Sequence, residues 1–128
     1  MAAAGYTNNG PSYYDFVVVK FDADGTLLWQ QTLNGTGNYF DAAFSVAVDN
    51  QGNTVAGGWT NLSKDPFPWR FTLTVTKFDR DGTLLWKQDL TSSDSSANRA
   101  LAVAVDNQGH VFAAGPCGQA FAVVKFAP

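Results

Sequence analysis

The chain has 128 residues, 45% hydrophobic and 15% charged, with a net charge of −3 and a sequence pI of about 4.7. That much apolar material supplies a core and excludes a disordered chain, and eight scattered basic residues leave no electrostatic footprint for nucleic acid or anionic lipid. The single cysteine, Cys117, excludes an intramolecular disulfide and a cysteine-based zinc site, and reads as a small, partly buried apolar residue.

No basic segment followed by an apolar stretch opens the chain, so no signal peptide is expected. No apolar run approaches the roughly 18 residues of a membrane span. Residues 4–7, AGYT, match residues 57–60, GGWT, so the first strand reads as the tail of a repeated unit. Residues 16–21, FVVVKF, form a strand that turns through Asp22-Ala23-Asp24-Gly25 and returns as Thr26-Leu27-Leu28-Trp29. A Gly-rich stretch, Gly35-Thr36-Gly37, follows. The next apolar run ends at Val48, turns through residues 49–53 (DNQGN) and returns as Thr54-Val55-Ala56. Asp, Asn and Gly suit such turns because they tolerate positive φ at low cost.

From there the pattern starts again. Residues 18–33 and 75–90 agree at twelve of sixteen positions, and residues 43–58 and 100–115 at ten of sixteen, both at an offset of 57. Residues 121–126, FAVVKF, begin a third copy of 16–21. Short strands punctuated by turns, four strands to each unit of roughly 50 residues, specify four-stranded antiparallel β-propeller blades. The expected fold is therefore all-β, a partial propeller of about three blades: a partial blade over 1–33, a full blade over 42–90 and a partial blade over 99–128. With strands lettered A to D from the axis outward, the chain reads B-C-D, A-B-C-D, A-B-C. Runs such as Val46-Ala47-Val48 and Phe16-Val17-Val18-Val19 are apolar on both faces, as strands covered on both sides must be. Ala47 and Ala104 fall in the crowded innermost strand.

These residues resemble the bacterial seven-bladed β-propeller repeat family, abbreviated SBBP. The resemblance is carried by Val19-Lys20-Phe21, Gly25, Leu28-Trp29, Gly35-Thr36-Gly37, Ala47-Val48-Asp49 with Gln51-Gly52-Asn53, and Gly57-Gly58-Trp59-Thr60. The second unit repeats them, with His110 for Asn53 and Pro116-Cys117 in place of the aromatic-threonine ending. The resemblance implies a structural repeat with no shared catalytic residues. It also implies four or more blades to a closed ring, so this chain is expected to pair with itself, as a homodimer closing a ring of about six blades.

Few residues carry chemistry. The Asp22-Ala23-Asp24-Gly25 and Asp79-Arg80-Asp81-Gly82 runs begin like calcium loops, but Thr, Leu, Leu and Trp follow where further oxygen ligands are needed, so both read as hairpin turns. Trp29 and Trp86 recur at one strand position and are expected to be mostly buried between blades; stacking on a cofactor is the lesser reading. His110 is the only histidine and sits in a turn. The acid pairs Asp41 with Asp15, and Asp65 with Asp94, are the carboxylate combinations open to a glycan-cleaving enzyme. Asp41 has Asn98 as its counterpart, which points to a turn role instead. Asn61-Leu62-Ser63 is a formal glycosylation sequon. No catalytic, cofactor-binding or metal-binding residue is assigned.

The segments that differ between units, 8–14, 34–41 and 61–70, collect aromatic, Asn and Gly residues on one face of the expected propeller. Tyr13, Tyr14, Tyr39, Asp41, Trp59 and Trp69 lie in or beside them and are the candidate ligand-face residues. The uniform Asp-containing turns lie on the other face. A carbohydrate or peptide ligand suits the variable set. The expected function is a non-enzymatic scaffold or binding module; the alternatives are a lectin-like domain using these loops and a propeller enzyme acting on glycans.

Overall fold

A computed structural model describes residues 1–8, 10, 13–37, 39–63, 69–93 and 97–128. The described residues form ten strands: β1 (Ala2–Asn8), β2 (Tyr14–Phe21), β3 (Leu27–Leu33), β4 (Ala42–Val48), β5 (Thr54–Asn61), β6 (Phe71–Phe78), β7 (Leu84–Leu90), β8 (Ala102–Val105), β9 (Val111–Cys117) and β10 (Ala120–Phe126). They pair antiparallel in three sheets, β1-β2-β3, β4-β5-β6-β7 and β8-β9-β10, each in sequence order. The described residues contain no α-helix, and no helix is long and apolar enough to cross a membrane. The three, four and three strands match the number expected from the repeat.

The turns show why these segments form hairpins. Asp22 Oδ1 accepts the backbone N–H groups of Asp24 at 2.9 Å and Thr26 at 2.8 Å, and Asp79 holds Asp81 and Thr83 in the same way. Asp49 and Asp106 do so for the β4–β5 and β8–β9 turns. Each turn then passes a glycine (Gly25, Gly52, Gly82 or Gly109) at φ between 83° and 90°, a backbone conformation that side chains disfavour. The first carboxylate of each run that resembled a calcium loop, Asp22 or Asp79, thus holds its own turn through Oδ1. His110 replaces Asn53 without loss: Asn53 Nδ2 donates to Asp49 Oδ2 and His110 Nδ1 pairs with Asp106 Oδ2, both at 2.8 Å.

The sequence repeat becomes a repeated contact between sheets. Phe16 and Val18 of the N-terminal sheet pack on Ala43, Ala56 and Phe78 of the central sheet, flanked by Trp29 and Leu33. One sheet on, Leu73 and Val75 pack with Ala100, Ala113 and Phe126, flanked by Trp86 and Leu90. Except for Phe126, from the third copy, each residue of the second cluster stands 57 positions after its counterpart in the first. Fully burying one such side chain stabilises the fold by about 1.5–3 kcal/mol. The central sheet is covered on both sides, and β6 is buried along its whole length. On the side facing the N-terminal sheet its threonines satisfy one another: the hydroxyls of Thr60, Thr72 and Thr74 lie 2.8–2.9 Å apart, and Thr74 donates to Asp89 at 2.7 Å.

Small residues set the spacing of the sheets. A Cβ on Gly57 would stand 2.5 Å from Val103 Cγ1, and one on Gly82 would stand 2.8 Å from the Trp29 ring. Trp29 sits on that glycine, 5.6 Å from the Phe78 ring, and donates its indole N–H to Arg80 O at 3.0 Å. Trp86 makes the equivalent contact with Phe126, also at 5.6 Å. The two tryptophans therefore do occupy equivalent places between sheets, mostly buried as expected but not sealed from solvent. The exposure that remains fits their position on β3 and β7, each at an edge of its sheet. The lysines repeat as well. Lys20 reaches the carbonyl of Gly52 in the next sheet, and Lys77 that of Gly109 while pairing with Asp49 at 3.3 Å.

Candidate functional site

The described residues of the variable segments meet at one end of the sheets, away from the Asp turns. The Tyr13 ring lies 4.3 Å from Tyr39, tilted by 55°, and 6.5 Å from Phe40; Tyr39 and Phe40 reach Trp69 at 6.4 and 5.8 Å. Tyr14 contacts Phe40 at 5.7 Å and Tyr6 at 4.9 Å. Trp59 stacks on Phe71 at 5.0 Å, takes the edge of Phe44 at 5.2 Å, and carries the Arg99 guanidinium 5.6 Å from its ring. Five of the six expected ligand-face residues are thus rings of one aromatic cluster. Tyr14 and Trp59 belong to β2 and β5, not to loops. Strands hold these two rings more rigidly than loops would.

A cavity of about 300 Å³ opens between Tyr6, Tyr14, Phe40, Phe44 and Trp59, with Asp41 and Ala42 completing its wall. Tyr6 is 60% exposed and Phe44 45%, so rings stand free at its mouth. Tyr6 and Phe44 were missed from the sequence. Tyr6 was legible in principle, because it occupies the position of Trp59 in the 4–7 and 57–60 match, just as Tyr14 occupies that of Phe71. Phe44 was not, because its counterpart Leu101 is aliphatic. The aromatic cluster keeps its own electrostatics: the Tyr13 hydroxyl beside Tyr39 raises the Tyr39 pKa, with desolvation and the Tyr13 charge adding to the effect.

Asp41 is the sixth candidate, and its surroundings give it a structural task. It is fully buried. Its Oδ2 accepts the N–H of Gly35 at 2.5 Å and its Oδ1 that of Asn61 at 2.6 Å, so one carboxylate joins the connection between two sheets to the end of β5. Gly35 and Gly37 have to be glycines here, since a Cβ on either would collide with the backbone or side chain of residues 61–63. The counterpart Asn98 makes the same clasp without charge, accepting from Gly118 N–H at 2.9 Å and Ser92 Oγ at 3.0 Å and donating to Phe71 O at 2.9 Å. Burial raises the Asp41 pKa above the ordinary carboxylate value. The Gly35 and Asn61 donors oppose the rise, the charge of Asp15 adds to it, and Lys87 opposes it.

Asp15 and Asp41 are therefore brought within electrostatic reach of each other, both buried. Asp65 and Asp94 lie outside the described residues. His110 and its turn sit at the opposite end from the aromatic cluster, with the turns of neighbouring sheets in contact through Asn50 Nδ2 and Asn107 O at 3.2 Å. Cys117 is free and half-buried. The Asn61 side chain of the formal sequon is buried at the end of β5 and accepts from Ser63 N–H at 2.7 Å, so it is not an exposed acceptor. Among the described residues no three His, Cys, Asp or Glu side chains gather as a metal site. A second groove, about 430 Å³, runs along Trp86, Gln88 and residues 125–128 at the edge of the C-terminal sheet. No family model matches the chain, and no curated protein matches it.

Proposed function

We propose that the chain is a non-enzymatic binding module built from three consecutive β-propeller blades of the SBBP type, and that the aromatic cleft between the first two blades takes the ligand. The observation that supports this most is the convergence of Tyr6, Tyr14, Phe40, Phe44 and Trp59 around one cavity at the variable end of the sheets. Rings held by strands lose little entropy on binding and offer apolar faces with polar rims, which suits a ligand with one flat apolar side. The clasp role of Asp41, shared with the uncharged Asn98, weighs against using that carboxylate as an acid catalyst.

Carbohydrate is the ligand class we favour, because a pyranose ring presents such an apolar face to exposed tyrosines. Tyr6 and Tyr14, at 60% and 38% exposure, are available for it. A glycan array followed by titration of the best hit tests this reading, with Trp59 fluorescence as the signal. Replacing Tyr6 by Ala removes an exposed ring, so it is expected to weaken binding by about tenfold, the order of one lost stacking contact, with the melting temperature unchanged. A blank array, or a hit indifferent to Tyr6, removes the carbohydrate reading.

A further inference from the structure

The outward face of the C-terminal sheet repeats a surface that the other two sheets bury. Phe16 and Val18 in the N-terminal sheet are 0% exposed, and so are their counterparts Leu73 and Val75 in the central sheet. The third pair, Phe121 and Val123 on β10, is 71% and 67% exposed. Strand alternation places Phe112 and Ala114 of β9 on that same face. Lys125 lies over the Phe112 ring at 5.4 Å, whereas Lys20 and Lys77 at its repeat position reach carbonyls of the following sheet. An apolar sheet face with this composition is what the chain elsewhere covers with another of its own sheets.

We propose that this face docks the N-terminal sheet of a second copy of the chain. The complementary surface is present on the same molecule. Across β1 and β2, the face turned away from the central sheet carries Ala3, Gly5, Val17, Val19 and Phe21. These are the positions of Ala56, Gly58, Thr74, Thr76 and Phe78, the side of the central sheet on which Phe16 and Val18 pack. Docking therefore repeats the centre of a contact the chain already makes twice, with Phe121 and Val123 in the places of Phe16 and Val18 and without counterparts of Ala43 or Trp29. Two chains related by a dyad form it at two equivalent seams, which closes the assembly and leaves no face for fibre growth. Six sheets result, within the usual four to eight of closed propellers. The inference rests on the blade arrangement and not on the ligand assigned to the cleft, so a monomeric chain that still binds its glycan leaves the cleft reading intact.

Light scattering on the full chain, from micromolar to millimolar concentration, is the test. The expected mass is twice 13.7 kDa. Val123→Asp on one face, or Ala3→Asp on the other, places a charge in the seam and is expected to raise the dissociation constant by about 100-fold or more. The circular dichroism of each variant should match wild type, because both side chains are exposed in the single chain. A chain that stays monomeric throughout, a mass of three chains, or association indifferent to both substitutions overturns the proposal.

Discussion

Trp29 and Trp86 allow the packing between sheets to be measured twice in one molecule. Truncating a fully buried tryptophan to alanine costs about 3–5 kcal/mol. Trp29 is mostly but not fully buried, which leaves about 2 kcal/mol for lost packing on Phe78 and Gly82. Its indole N–H also donates to Arg80 O, worth about 1 kcal/mol at a partly exposed site. Trp29→Ala should therefore cost about 3 kcal/mol. Trp86 keeps the ring contact with Phe126 but has no equivalent hydrogen bond among the described residues, so Trp86→Ala should cost about 2 kcal/mol. For a chain of this size a difference of about 1 kcal/mol is about 4 °C in melting temperature. Urea titration and thermal melts at a concentration where association is absent would read both values. If Trp86→Ala proves as costly as Trp29→Ala, the hydrogen bond to the turn contributes nothing and the ranking fails. If either variant melts within a degree of wild type, the contact between sheets is not what holds the fold.

Three further outcomes follow from the clasp, the close approach and the turns. Because burial raises the Asp41 pKa, the folded state binds a proton more tightly than the unfolded chain, so Asp41 makes stability fall as pH rises from its unfolded value through its folded one. Asp41→Asn should flatten that part of the pH profile and stay within about 1 kcal/mol of wild type, whereas Asp41→Ala orphans two buried N–H groups and should cost about 3 kcal/mol; denaturant titrations across pH separate the two. Gly57→Ala should lose about 1–3 kcal/mol by forcing Val103 aside, while Ala114→Gly at the counterpart position, on the outward face, should cost under about 1 kcal/mol in the single chain. His110→Asn restores the residue found at position 53 and should change stability by less than about 0.5 kcal/mol, since either side chain donates to the turn aspartate. The carboxylates of Asp79 and Asp106 act in the opposite sense to Asp41. Donors from Thr83, Asp81 and Gly82 hold Asp79 below its ordinary pKa, and at Asp106 the His110 and Gln108 donors outweigh desolvation, so the stability they add is lost as pH falls through their folded values.

Much of this architecture follows from local chemistry, and that part was legible in the sequence. An aspartate two residues before its turn partner, with a glycine behind it, specifies a hairpin wherever it occurs, because the hydrogen bonds involved span only two to four residues. Four such turns and the spacing of the apolar runs determined the ten antiparallel strands and their division into three, four and three. The offset of 57 also foretold that Trp29 and Trp86 share one mostly buried environment between sheets. The site depended on distance in space. Tyr6, Tyr14, Phe40, Phe44 and Trp59 come from four strands and a connection, and nothing in their spacing along the chain brings them around one cavity. Asp41 and Asn98 looked like turn residues, and only packing revealed them as clasps between a sheet and the connection that enters it. Exposure was likewise decided by tertiary structure: Val18, Val75 and Val123 are the same residue in the same pattern, yet the first two are buried under a neighbouring sheet and the third faces solvent. Burial is a property of what lies across the face, which a strand's own sequence cannot specify.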